Sequence, residues 1–377
     1  VLPIYLDSNA TTPVDPAVFD AMLPFLRSEF GNPSSTHAYG RTAHAAVETA
    51  RGQVAALIGA RPDEIVFTGG GSEASNHAIK GTCFAKGAAP SDVHIVISAV
   101  EHPATAKPVE WLGTLGAGTT VVPVDRFGLI DPDAVRAALT PRTRLVSVMH
   151  SNNEVGTLLP IREIAAICRP RGVLVHTDCA QSLGKVPVSV TELGVDLLTV
   201  AGHKLYAPKG IGALFVRRGV TLAALVHGAG HESGRRAGTE NVPYIVGLGR
   251  AAEIANRALP AETDRLRALR DRLHAALLGA LGDRLTLNGH PERRLPNTLN
   301  VNFVGCVGAE LLARVPGVAA STGSACHEGN VRLSPVLAAM GVPPEIGRGA
   351  VRLSVGRFTT EEEVDRAAEM LIRAAKP

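Results

Sequence analysis

The chain of 377 residues is short of net charge, aromatics and cysteine, and each shortage excludes something. A formal charge of +3, aromatics at 4% and no Lys/Arg run interleaved with aromatic side chains argue against direct nucleic-acid binding. Arg235-Arg236 is the nearest thing to a basic cluster. The five cysteines, Cys83, Cys168, Cys179, Cys306 and Cys326, are odd in number and lack short paired spacing, which disfavours a disulfide framework and a zinc site. No apolar run is long enough to cross a bilayer, and no basic-then-apolar leader precedes Tyr5-Leu6-Asp7. These features predict a soluble, cytoplasmic protein with no membrane partner. Internal repeats and low-complexity tracts are missing too.

What is present suits a large domain with a smaller companion. A hydrophobic content of 45% can fill two cores at this length. From about Ile65 to Val216, apolar β-branched runs alternate with amphipathic stretches. Candidate strands are Ile65–Thr68, His94–Ser98, Thr120–Pro123, Leu145–Met149, Val173–His176, Leu197–Val200 and Gly212–Val216. This alternation predicts an α/β fold with a mostly parallel sheet of seven strands covered by helices. Ala252 to Leu281 reads as one or two long helices, and Leu299–Phe303 and Val351–Ser354 as strands of a small α+β domain closed by a helix from Thr360 to Ala375.

Three local patterns carry chemistry. Lys204 sits in a Gly/Pro-framed segment, Ala201-Gly202-His203-Lys204 to Gly210, between two apolar runs. A lysine held there away from water can lose its proton near neutral pH and form a Schiff base with an aldehyde. Read alone, it fits a solvated hairpin lysine equally well. Asp178 ends the apolar run Val173 to His176, where a carboxylate needs a cation or serves as a helix N-cap. The pyridinium nitrogen of pyridoxal phosphate (PLP) is such a cation, and a strand-end Asp upstream of a Schiff-base Lys is the pairing that cofactor requires. Thr68-Gly69-Gly70-Gly71-Ser72, between a strand and a helix start, frames an anion site or a plain turn; it is not a P-loop, since the Lys-Ser/Thr ending is missing.

Together these segments resemble the PLP-dependent cysteine desulfurases, the group that also contains selenocysteine lyases, within the class V aminotransferase superfamily. The resemblance spans nearly the whole chain. It runs from Tyr5-Leu6-Asp7-Ser8-Asn9-Ala10-Thr11-Thr12-Pro13 through Gly31-Asn32-Pro33-Ser34-Ser35, Glu101-His102, Asn152-Asn153-Glu154-Val155-Gly156 and Arg236-Ala237-Gly238-Thr239-Glu240-Asn241 to Val351-Arg352-Leu353-Ser354-Val355-Gly356-Arg357. It implies the aspartate aminotransferase-like fold (fold type I), with a large PLP-binding domain over 16–257 and a small domain of 1–15 plus 258–377 that carries a catalytic cysteine loop.

The resemblance also implies roles. Lys204 is the Schiff-base lysine and proton carrier, Asp178 the partner of the ring nitrogen, and His102 a ring-stacking acid/base that, without that context, reads as a histidine at a helix start. Gln181 is placed near the phenolic oxygen, and Asn153 near the cofactor or the substrate carboxylate. Gly71, Ser72 and His203 match phosphate contacts, Ala201 and Gly202 complete the cofactor-binding set, and Thr239 matches a contact supplied by the second subunit of a homodimer. Arg352, in an apolar strand, is implied to clamp the substrate α-carboxylate; a structural salt bridge is the alternative. Cys326, among small and polar residues, reads as a mobile exposed thiol that takes the sulfur of L-cysteine as a persulfide for an acceptor protein, leaving alanine. Cys179 reads as packing. A selenocysteine lyase acting on L-selenocysteine shares all these parts. The chain departs from the family at Ala201, where serine is common, and at Ala207, where glycine is common. Without the serine hydroxyl in the phosphate cup, weaker cofactor retention is expected.

Overall fold

The computed structural model describes residues 2–322, 324–327 and 330–376, with the side chains of 324–327 and 330–332 outside the description. Fifteen strands are described: β1 Ile4–Tyr5, β2 Ile65–Thr68, β3 His94–Ser98, β4 Gly118–Val122, β5 Thr143–Ser147, β6 Leu174–Asp178, β7 Leu197–Ala201, β8 Gly212–Val216, β9 Leu285–Asn288, β10 Thr298–Phe303, β11 Val318–Ala319, β12 Ser321–Thr322, β13 Ser324–His327, β14 Asn330–Leu333 and β15 Ala350–Ser354. The seven strands β2 to β8 form one sheet in the order β2-β8-β7-β6-β5-β3-β4, all neighbours parallel except those of β8. This is the expected α/β sheet.

Because β8 runs antiparallel to both β2 and β7, those two strands point the same way as β3, β5 and β6. Their C-terminal ends therefore meet along one edge, where an open α/β sheet binds ligands. Gly212 faces Thr68 of β2 and Ala201 of β7 at once, and a Cβ on it would lie 2.5 Å from the Val200 carbonyl oxygen and 2.7 Å from Gly70 C. Only a glycine lets these two strand ends close up.

Some boundaries differ from the sequence expectation. β5 ends at Ser147 rather than Met149, because the Met149 N–H leaves the ladder for the Glu101 carboxylate, at 2.9 Å. The long helix is a single one and starts at Val242, ten residues earlier than expected. Asn241 caps it by accepting from the Tyr244 N–H, and Pro243 fits its first turn; these are ordinary start signals. Gly71 and Ser72 belong to the first turn of the helix Gly71–Cys83 rather than to a loop, with Gly70 at φ 145° before them.

The 40-residue helix Val242–Leu281 joins two cores. Its first half buries Ile245, Leu248 and Ala252 against the large sheet; its second half buries Leu266, Leu269, Leu273 and Leu277 against the four-stranded sheet β12-β15-β10-β9. The closing helix Glu361–Ala375 covers that second sheet with Val364, Ala368 and Leu371, capped by Thr360 in a reciprocal pair with Glu363. The N-terminal segment joins the second core as expected: β1 pairs with β11, Asp7 bridges to Ser354, and Leu6 is fully buried. Cys326 lies in β13, which pairs with β14 in an antiparallel hairpin with Cys326 opposite Val331. The segment expected as a loop is thus strand backbone, paired with β14. Its expected exposure and mobility fall on a side chain outside the described residues.

Candidate active site

A cavity of about 410 Å³ opens at the C-terminal edge of the large sheet. Its lining includes Gly71 and Ser72 from the helix after β2, His102 from the turn after β3, Asn153 beyond β5, Asp178 and Gln181 from β6 and its turn, and Ala201, His203 and Lys204 from β7 and the tight turn after it. Residues remote in sequence thus meet in one place. Gly202 is buried directly behind the lining: a Cβ on it would lie 2.8 Å from the Ile211 carbonyl oxygen.

One end of the cavity is a backbone cradle. The helix Gly71–Cys83 has no side chain capping its first turn, so its N-terminal amides and dipole face the space beside Ser72. Gly71 packs against Ala201: a Cβ there would sit 3.0 Å from the Ala201 Cβ. The His203 ring bonds Thr11 Oγ1 at 3.2 Å through Nδ1, and burial, followed by the charge of Lys204, brings its pKa down to about 4, so it stands neutral.

The middle holds the reactive groups. Asp178 is only 8% exposed and accepts from the Ala180 N–H at 2.8 Å; among the described residues no cation pairs with it. Burial lowers the Lys204 pKa against the opposing pull of Asp178, which favours the neutral amine relative to a solvated lysine. His102 Nδ1 accepts from the Ala104 N–H at 3.1 Å, capping the next helix, and burial, with Lys204, lowers its pKa. The helix-start reading of His102 is what the cap shows, and that cap fixes a ring that lines the cavity. Beneath it, Glu101 accepts from Ser98 Oγ and the Met149 N–H while its Oε2 stays buried without a partner, and burial raises its pKa to about 8.

The far end is held by the second sheet. Arg352 does not line the cavity. Its Nη2 pairs with Asp7 at 2.7 Å, its Nη1 donates to the Asn153 carbonyl at 3.0 Å, and its Nε is buried without a partner. The structural salt bridge is thus real, formed with a carboxylate 345 positions away rather than a local one. The Asn153 side-chain amide itself has no protein partner among the described residues and faces the cavity. Thr239 is exposed and lines an adjoining cleft of about 220 Å³ that shares Gly69, Gly210 and Ile211 with the main cavity. Cys179 is fully buried, with its thiol pKa raised by burial, as a packing residue should be. The side chain of Cys326 lies outside the described residues.

Sequence reasoning misses Asn9 and Lys185. Asn9 stands inside the N-terminal motif but carries no visible chemistry there. Lys185 follows Gln181 by four residues with nothing in the sequence to single it out, yet it is 5% exposed and bonds Gln181 Oε1 at 2.9 Å.

The donor set fits PLP: an uncapped amide cradle for a dianion, a buried carboxylate short of a cation, and a desolvated lysine share one cavity. Comparison with known proteins agrees. The family model for class V aminotransferases matches residues 4–367. A cysteine desulfurase IscS of Dictyoglomus turgidum is 44% identical over 98% of this chain and 94% of the relative. A cysteine desulfurase of Gluconacetobacter diazotrophicus is 48% identical over 98% and 92%. Among solved structures, a NifS-like protein superposes with a TM-score of 0.91 at 36% identity, covering 99% of both chains, and DndA from Streptomyces lividans with 0.77 at 36%, covering 93% and 99%. The chain belongs to the class V aminotransferases. Within that family it is an enzyme of the cysteine desulfurase group, which depends on PLP and takes sulfur from L-cysteine.

Proposed function

We propose that Lys204 holds PLP, that Asp178 pairs with its ring nitrogen, and that Cys326 takes the sulfur of L-cysteine as a persulfide while L-alanine leaves. One observation carries the reading of the pocket: the Asp178 carboxylate, without a cation among the described residues, lines the same cavity as the desolvated Lys204. Bound PLP supplies an electron-withdrawing ring that makes the substrate Cα proton acidic. Lys204 carries that proton, and the burial that lowers its pKa favours the neutral amine the task needs. His102, held by its cap to Ala104, faces the cofactor as an acid/base. Gly71, Ser72, Ala201, Gly202 and His203 hold the phosphate, and Gln181 the phenolic oxygen.

Asn153 and Arg352 bind the substrate carboxylate; the partnerless Arg352 Nε and the free Asn153 amide support this, and Asp7 keeps the guanidinium in place meanwhile. Cys326, as thiolate, attacks the substrate sulfur: an S–S bond forms, the C–S bond breaks, and the electron pair returns to the carbon that becomes the alanine methyl.

Exposed Thr239, beside the cradle, supports a homodimer in which it reaches the phosphate of the other subunit. The separate cores on either side of the helix Val242–Leu281 support a large domain of 16–257 and a small one of 1–15 plus 258–377. A sulfur-acceptor protein and a cytoplasmic setting, where thiols stay reduced, complete the reading. No helix among the described residues is long and apolar enough to cross a membrane.

The test is direct. Protein incubated with PLP should turn yellow, lose the visible band on borohydride reduction and yield a phosphopyridoxyl adduct on Lys204 by mass spectrometry. An adduct on Lys209, which also lines the cavity, or no bound cofactor, overturns the assignment.

A further inference from the structure

Gln181 reaches the cavity with both ends of its amide already engaged by protein. Its Oε1 accepts from Lys185 Nζ at 2.9 Å, and its Nε2 donates to the Asn9 carbonyl at 2.9 Å. A carbonyl only accepts, so the amide turned over would set oxygen against oxygen at Asn9 and, with Lys185 protonated, N–H against N–H at Lys185. One N–H of Nε2 remains uncommitted.

Lys185 is otherwise hard to explain. It is 5% exposed, reaches Asn9 Oδ1 at 3.4 Å, and has no carboxylate within ion-pair distance among the described residues. A buried amine without a counter-ion lowers stability. The charged groups facing it are both cations, Lys204 from the turn after β7 and Arg352 from β15; burial first, then these, bring its pKa down to about 7. Asn9, its second contact, is itself clamped: its N–H donates to Ser354 Oγ, its Nδ2 to Thr298 Oγ1 at 2.8 Å, and its Oδ1 accepts from Asn297.

We propose that Lys185 is a positioning residue that locks the Gln181 amide, so that the cavity receives an N–H and never the carbonyl, and that this N–H meets the phenolic oxygen of PLP. The proposal rests on the cofactor placement above. A donor at that oxygen favours its deprotonated form and so weakens the hold on the proton shared between the oxygen and the Lys204 nitrogen.

The experiment is a pH titration of the visible band of the PLP-loaded protein for wild type, Lys185→Met, Gln181→Leu and the double variant, with circular dichroism and PLP retention as folding controls. Lys185→Met should move the midpoint upward by about one pH unit. Gln181→Leu should move it the same way, and in that background Lys185→Met should add little, because the two act through one N–H. Additive shifts would reduce Lys185 to a nearby charge and overturn the proposal, as would a folded Lys185→Met with an unmoved midpoint. If Lys185→Met does not fold, an unmoved midpoint in Gln181→Leu overturns it, and a shift there that Lys185→Gln, which keeps an N–H donor, does not reproduce supports it. Failure of the cofactor placement itself is distinguishable: the wild type would then carry no adduct on Lys204.

Discussion

The two ends of the cavity are built by different means. The glycine-rich end is made of backbone: an uncapped helix start, glycines that permit close approach, and the turn after β7. The opposite end, toward Asn153 and Gln181, is backed by side chains tied across the whole chain, Arg352 to Asp7 and Asn153, and Asn9 to Gln181, Ser354 and Thr298. Backbone dipoles survive a side-chain change, whereas a buried side-chain network loses several contacts with one member. The difference teaches that sensitivity to mutation should rise from the cradle toward the second sheet.

The largest break in this comparison is expected from Cys326→Ser. It should keep the yellow colour and the Lys204 adduct yet release alanine from L-cysteine at least about a thousandfold more slowly, as loss of a covalent nucleophile does. With L-selenocysteine, which leaves more easily, the same variant should retain more activity. Near wild-type alanine release from L-cysteine would falsify the persulfide role.

Arg352→Ala comes next. If Arg352 clamps the substrate carboxylate, its removal, which leaves the Asp7 carboxylate with Ser321 Oγ alone among the described residues, should weaken L-cysteine use by about a hundredfold, chiefly in KM. Steady-state kinetics with unchanged KM would return Arg352 to a purely structural role.

Beneath both ends, His176 is fully buried between Ser147 Oγ at 2.7 Å and Thr199 Oγ1 at 3.0 Å, and burial brings its pKa from 6.5 down to about 4. The folded protein holds it neutral while the unfolded chain takes up a proton below pH 6.5, so stability is lost as pH falls from 6.5 to about 4. His176→Gln should reduce that acid-linked loss by on the order of 2 kcal/mol, although it lowers stability at neutral pH. Denaturant unfolding at several pH values checks this; an unchanged pH dependence would show that the histidine is not held neutral.

The smallest effect belongs to the backbone cradle. Ala201→Ser restores the hydroxyl common in the family and should tighten PLP by only a few-fold, about one hydrogen bond's worth. Equilibrium dialysis measures it. A change of a hundredfold would mean that the cradle depends on side chains after all.

Taken residue by residue, the chain by itself determines a good deal. Alternating apolar runs specify the parallel sheet, since its strands, the edge strand β4 apart, are largely buried on both faces by the helices that follow. Lys204, Asp178 and the glycine stretch are legible because each breaks a local rule, a charge at the end of an apolar run or glycines where a helix should start, whereas His102 stands out only through the family resemblance.

Other residues acquire meaning only on folding. Arg352 and Asp7 are 345 positions apart, Lys185 and Asn9 176, and nothing local distinguishes this Asp from a surface acid or this Lys from a turn residue. Whether their charges are solvated or buried is set by which strands meet, and β15 meets the N-terminal segment only when that segment folds into the second core. Tertiary structure also decides that Gly212 is indispensable, because two strand ends that are remote in sequence converge on it. Periodicity and local chemistry reach only as far as a strand or a turn; burial, and with it the pKa of a lysine or the pairing of an arginine, depends on what packs against it from elsewhere.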